Sequence, residues 1–185
     1  MWKWSDGGRL PVVVDTSPCT YGLLHSREVL GLDNQERFDR LRIVDSIDFA
    51  HDLLPRLRVH RKVASVALHP VCSVIKMGLA GELAEVAKAC SERVFVPRDA
   101  GCCGFAGDRG FLVPELTASA TAREAAEVRP GEHDGYYSSS RTCEMGMVRA
   151  TGKPYRSIWF LLEEATRDSF LQAPVTRYSP LESAG

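Results

Sequence analysis

The stretch Ala100-Gly-Cys-Cys-Gly-Phe-Ala-Gly-Asp-Arg-Gly110 sets two adjacent cysteines, Cys102 and Cys103, between Gly101 and Gly104, with Gly107 and Gly110 close behind. Glycine permits close backbone approach and positive φ, so such a loop can fold tightly around something small with its amides turned inward. Adjacent cysteines have Cα atoms only about 3.8 Å apart, short for a disulfide between them. As two ligands of one tetrahedral ion they close a strained chelate ring. They suit a polynuclear centre, in which each thiolate reaches a different metal atom. The alternative reading is a buried turn with two apolar thiols, since free cysteine packs as a small hydrophobe.

Four more cysteines are present: Cys19, Cys72, Cys90 and Cys143. The 185 residues suffice for one domain with a real core, and the apolar and charged fractions, 44% and 25%, are ordinary for a globular chain. A net charge of −1 argues against nucleic acid as an obligatory partner. The N-terminus, Met1-Trp-Lys-Trp-Ser-Asp6, lacks the apolar core of a signal peptide, and no run is long enough for a transmembrane helix. The expected location is therefore cytoplasmic. There, clustered cysteines read more naturally as metal-binding or catalytic than as disulfides.

The elements that must position these thiols follow from patterning. Strands are predicted at Pro11–Asp15, Leu41–Val44, Ala64–His69, Arg93–Pro97 and Asp134–Ser138, each short and rich in β-branched or aromatic residues. Helices are predicted from about Leu23 to Leu30, from a Ser46 cap to Leu54, briefly up to Met77, and over Leu79–Cys90 and Pro114–Val128. A last one runs from Ser157 to about Arg167. In the fourth of these, Leu79, Leu83, Val86, Ala87 and Cys90 share one face, which makes Cys90 a core residue. Alternating strands and helices predict an α/β fold, a parallel sheet flanked by helices. Cys19, Cys72, Cys143 and the double-cysteine loop each follow a strand. In open α/β sheets, ligands bind beyond the carboxyl ends of the strands, so these sites are expected to converge on one sheet edge.

Val12–Gly22 and Tyr136–Gly146 resemble each other. Each is a strand-like run, then small hydroxyl residues, then Cys-x-x-Gly. The repeat divides the chain into the tail of a first unit (1–30), a complete unit (31–168) and a loose Pro/Ser/Thr-rich tail (169–185). The expectation is a piece of something longer, with the front of the first unit upstream of Met1.

Between Cys72 and Cys102 lie 29 residues, and between Cys103 and Cys143 lie 39. A Cys-Cys-Gly flanked in this way resembles the cysteine-rich CCG module of heterodisulfide reductase and of the iron–sulfur subunits of glycolate oxidase and anaerobic glycerol-3-phosphate dehydrogenase. His69-Pro-Val-Cys72, Gly101–Phe111, Pro114–Ala120 and Ser140–Gly146 look most like FAD- and iron–sulfur-containing D-lactate dehydrogenases, FAD-linked oxidases. The resemblance covers about Pro11 to Thr166. It implies an iron–sulfur electron-transfer domain of an oxidoreductase, with Cys72, Cys102, Cys103 and Cys143 as metal ligands and Cys19, His69 and Arg109 as possible additional or supporting groups. It also implies upstream FAD-binding and ferredoxin-like domains in the parent enzyme, and electrons passing from a 2-hydroxyacid through FAD to a quinone or cytochrome acceptor. The parent could lie peripherally at the inner face of the membrane, and this chain alone would not be catalytic.

One departure matters. Where that module ends in Cys-x-x-Cys, this chain has Gly146, and Gly22 in the first half. Four thiols remain, the usual count for a [4Fe–4S] cluster and also for a structural zinc site. The second reading is thus a zinc-binding assembly domain without a redox role. A third is metal-free thiol chemistry, in which one of the paired cysteines attacks a disulfide. Cys19 reads as a ligand completed by upstream residues, as a vestige, or as a core thiol. His69 reads as a ligand, a donor supporting a ligand, a proton relay or a structural histidine, and Arg109 as a charge near the centre or half of a surface ion pair. Trp2, Trp4, Leu10 and the face around Cys19 are expected to be apolar surface, with weak self-association through it.

Overall fold

The computed structural model describes residues 1–168. The predicted loose tail, 169–185, lies outside the described residues. The chain runs β1 (Val12–Val14), α1 (Ser17–Leu24), α2 (Leu32–Asp39), β2 (Ile43–Asp45), α3 (Ser46–Leu53), β3 (Val63–His69), α4 (Cys72–Lys76) and α5 (Ala80–Cys90). It continues through β4 (Ser91–Phe95), α6 (Arg109–Leu112), α7 (Pro114–Val128), β5 (Gly135–Ser138), α8 (Arg141–Thr151), β6 (Tyr155–Ser157) and α9 (Ile158–Thr166). The fold is α/β, as the alternation predicts: a four-stranded parallel sheet of order β4-β3-β5-β6, flanked by helices.

The central strands are buried on both faces, as parallel strands between helices must be. Because side chains alternate across a strand, β3 sends Val66 and Leu68 to one face and Ala67 to the other, and β5 sends Tyr137 and Tyr136 to opposite faces. On the first face α5 packs Leu83, Val86, Ala87 and Cys90, and α9 packs Ile158, Leu161, Leu162 and Ala165. The second face is a smaller layer of Ala67, Tyr136, Tyr155, Val128 from α7 and Met147 from α8. Cys90 is fully buried in the larger core, where its helix-face position puts it.

A separate two-stranded parallel sheet pairs β1 with β2, Val13 opposite Val44. The sheet that begins in residues 1–30 therefore extends to Asp45, and α3 ties it to the body by burying Ile47 and Ala50 in the main core. The cap of α3 is Asp45, whose Oδ1 accepts from the Ile47 amide at 2.9 Å, and not Ser46. Asp45 also accepts from Thr20 Oγ1 at 2.7 Å and Ser17 Oγ at 3.2 Å, and Ser17 Oγ donates to Ser139 Oγ at 3.3 Å. This buried polar chain joins the small sheet to the end of β5.

Five elements depart from the sequence reading, the four-residue α6 among them, which is too short to show a helical period. The first helix starts at Ser17, not Leu23, because Pro18 sits in its first turn, where a missing N–H costs nothing. Cys19 is therefore the third residue of a helix and not part of a turn. Helix α2 has no buried residue, and so lacks the apolar stripe that would announce it. Helix α8 begins two residues before Cys143 and carries Gly146 in its middle, which lowers its apparent helix propensity. Strand β6 is three residues long, too short for a period-two pattern.

The repeat seen in sequence has a counterpart in three dimensions. Strand β1 leads into α1 with Cys19 at its third residue, and β5 leads into α8 with Cys143 at its third residue. Each is followed by a parallel partner strand, β2 or β6, whose last residue caps the next helix through its side chain: Asp45 for α3 and Ser157 for α9.

Candidate metal centre

The register of the main sheet places the thiols. His69 and Ser138, the last residues of β3 and β5, lie opposite each other, and Ser138 Oγ donates to the His69 carbonyl at 3.0 Å. Three residues past His69, Cys72 opens α4, and five past Ser138, Cys143 stands in the first turn of α8. Strand β4 ends at Phe95 and feeds the loop holding Cys102 and Cys103. Three strand ends thus deliver four sulfurs to one edge of the sheet. All four are reduced: Cys103 and Cys143 buried, Cys72 half-buried, Cys102 exposed.

The loop is built around Phe105, which is fully buried. Phe111 meets it edge-on at 4.9 Å between ring centroids, the Gly110 amide donates to its carbonyl at 3.0 Å, and Arg149 lies 5.4 Å over both rings. Arg149 also donates to the Gly110 carbonyl at 3.1 Å. Gly146 packs directly on this loop: a Cβ there would stand 3.3 Å from Phe105 and Thr117 side-chain carbons and 3.5 Å from the Cys103 Cβ. Gly146 is thus small enough to let α8 approach the loop.

Gly104 has φ +70°, and a Cβ there would fall 2.5 Å from the Leu116 carbonyl oxygen and 2.9 Å from the Ala120 Cβ. Gly104→Ala therefore combines left-handed strain with a backbone clash. It is expected to cost about 1–3 kcal/mol and to displace the double-cysteine loop. Urea denaturation together with the alkylation rate of Cys103 checks this; a variant with unchanged midpoint and rate would contradict it.

Two of the sulfurs stand as a close pair. Cys103 Sγ and Cys143 Sγ are 2.8 Å apart. The hydrogen bond with Cys143 pulls the Cys103 thiol down to about 5 against burial, with help from His69 and the Phe105 amide. The same contact, together with burial, pushes the Cys143 thiol strongly up. Cys72 is raised by burial and then by Cys102, and it lies within electrostatic reach of Cys103 and Cys143. Among the described residues, no three His, Cys, Asp or Glu side chains stand where one ion could be held by all of them.

His69 and Glu124 form a buried pair beneath Cys103. Both are at most 2% exposed, and Nδ1 lies 2.7 Å from Glu124 Oε1. His69 Nε2 is buried and has no hydrogen-bond partner, with the Cys103 sulfur near enough to act on the ring's charge. Burial disfavours the imidazolium, but the nearby Cys103 sulfur and the hydrogen bond to Glu124 outweigh it and raise His69 to about 9. His69 thus joins the four thiols from the second layer. Cys19 does not join them; it is exposed on α1. Arg109, exposed at the start of α6, has no carboxylate within ion-pair distance among the described residues, so the surface ion pair is not formed.

Sequence reasoning missed Glu124, Arg149 and Phe105. Glu124 was findable: Thr117, Thr121, Glu124, Ala125 and Val128 form the buried face of α7 at helical spacing, and a carboxylate on such a face needs a buried partner. Arg149 carried no local signal, since its ring partners are 38 and 44 residues away. No protein-family model matches the chain, and no curated protein matches it significantly.

Proposed function

We propose that this chain is an iron–sulfur electron-transfer domain, and that it serves a flavin-dependent dehydrogenase of D-lactate or a related 2-hydroxyacid. The observation that carries the reading is the delivery of four reduced thiols, from three strand ends, to one partly buried edge of the sheet. The donor set fits the group. Four thiols are the usual complement of a cubane cluster, and the adjacent Cys102 and Cys103 suit a centre in which different metal atoms take different sulfurs. Cys72, Cys102, Cys103 and Cys143 would hold it, and the cluster would supply one-electron transfer when bound. The chain contributes the rest: Phe105 and α8 exclude water from Cys103 and Cys143, and His69, held by Glu124, lies near one ligand sulfur.

The repeat supports a place in a larger assembly. Gly146 is covered by the double-cysteine loop, whereas nothing stands within 4 Å of a Cβ at Gly22, its counterpart on α1. Beside it, Cys19, Leu24, Val29 and Leu32 are exposed. Upstream FAD-binding and ferredoxin-like domains, or a first cysteine-rich unit, are the partners this face fits, with a quinone or cytochrome as acceptor. Among the described residues, no helix is long and apolar enough to cross a membrane.

Anaerobic reconstitution with iron and sulfide tests the reading. The expected product is brown, with broad absorption near roughly 400 nm from thiolate-to-iron charge transfer. It should not reduce dye with D-lactate unless a flavoprotein is added. A colourless protein holding one zinc would overturn the reading in favour of a structural assembly domain.

A further inference from the structure

We propose that Cys103 and Cys143 form a redox-active dithiol, which closes reversibly to a disulfide when no metal occupies the thiols. The two sulfurs lie 2.8 Å apart without a bond between them, against about 2.0 Å in a disulfide. They come from elements that hold them together: Cys103 from a loop locked on Phe105, Cys143 from the first turn of α8. One helical turn after Cys143, a Cβ at Gly146 would stand 3.5 Å from the Cys103 Cβ, so helix and loop already touch at the point where the bond would form. Cys102, though adjacent in sequence, faces away. Its sulfur accepts from the Gly104 amide at 3.4 Å and is exposed. The core thiol Cys90 ends α5 and has no hydrogen bond to either sulfur of the pair.

At 4% and 5% exposure, neither residue admits a bulky oxidant, so hydrogen peroxide is the reagent class that fits. The Cys103 sulfur attacks one peroxide oxygen; the S–O bond forms, the O–O bond breaks, and water leaves with the thiol proton, giving a sulfenic acid. The Cys143 sulfur then attacks the Cys103 sulfur; the S–S bond forms, the S–O bond breaks, and a second water carries away the Cys143 proton. Two thiols and one peroxide thus become one disulfide and two waters, with two electrons passing from sulfur to oxygen. A dithiol reductant returns those electrons by exchange. The closed pair removes two of the four candidate ligands at once, so oxidation and metal loading exclude each other.

The test uses the metal-free chain and hydrogen peroxide. The expected result is loss of two hydrogens from the intact mass and a fall of two in titratable thiols. A cross-link should join the tryptic peptides 99–109 and 142–149, and dithiothreitol should reverse it. Cys102→Ser, at an exposed position, should keep the cross-link; Cys103→Ser and Cys143→Ser should each lose it. A cross-link that survives Cys103→Ser but is lost in Cys102→Ser would overturn the proposal, as would peroxide that oxidises thiols singly with no cross-link. The outcome is independent of which metal the chain holds, because no metal is present. A protein that takes up zinc but still closes this disulfide would sink the electron-transfer reading and leave the dithiol standing.

Discussion

Cys103→Ser is expected to abolish metal loading while leaving the fold intact, and Cys90→Ala to do the reverse. Both residues are buried, so burial alone does not separate them. Their neighbours do. Cys103 lies beside Cys143 and near His69 at the convergence of three strand ends, whereas Cys90 ends α5 against the apolar core. Serine at 103 keeps the volume and a hydrogen-bonding atom but removes the thiolate. Alanine at 90 removes a small buried group, at a cost on the order of 1–2 kcal/mol. Iron and sulfide per chain, measured beside urea denaturation, give both numbers. Equal metal loss in the two variants would contradict the distinction.

Glu124→Leu is expected to be the most destabilising single change outside the apolar core, by about 3–5 kcal/mol. The carboxylate is 2% exposed and its partner His69 is fully buried. Nε2 of His69 already lacks an oxygen or nitrogen partner, so leucine leaves the whole ring without one, in a place where water does not reach. Glu124→Gln retains an acceptor for Nδ1 and should lose distinctly less. Urea unfolding of the metal-free protein checks the pair. A leucine variant as stable as the parent would show that the His69–Glu124 contact contributes nothing to the fold.

The fold and the site were legible in sequence to different depths. Strands β3, β4 and β5 announced themselves by short apolar or aromatic runs, although β4, at the sheet edge, exposes Glu92 and Arg93. The placement of Cys72, Cys102, Cys103 and Cys143 followed from what lies after each run. The hydroxyl-rich links Asp15–Thr16 and Ser139–Ser140 hid the helices that follow them, since such residues read equally as turns and as helix caps. The core assignment of Cys90 needed only its helix face. Glu124 needed the opposite step, treating a charged residue on an apolar stripe as a signal and not as noise. The Arg149 cover over Phe105 and Phe111 was beyond reach, because a cation–π contact between distant segments leaves no trace in local pattern. Both strands of the β1–β2 sheet were predicted, but their pairing apart from the main sheet was not, since the Asp45 bonds to Ser17 and Thr20 of α1 leave no local pattern.

That four thiols hold an iron–sulfur cluster is tested most directly by iron-edge X-ray absorption of anaerobically reconstituted protein. A cluster on Cys72, Cys102, Cys103 and Cys143 gives a first shell made only of sulfur and a second shell containing iron. A first shell of oxygen or nitrogen, or an iron atom with no iron neighbour, would contradict it.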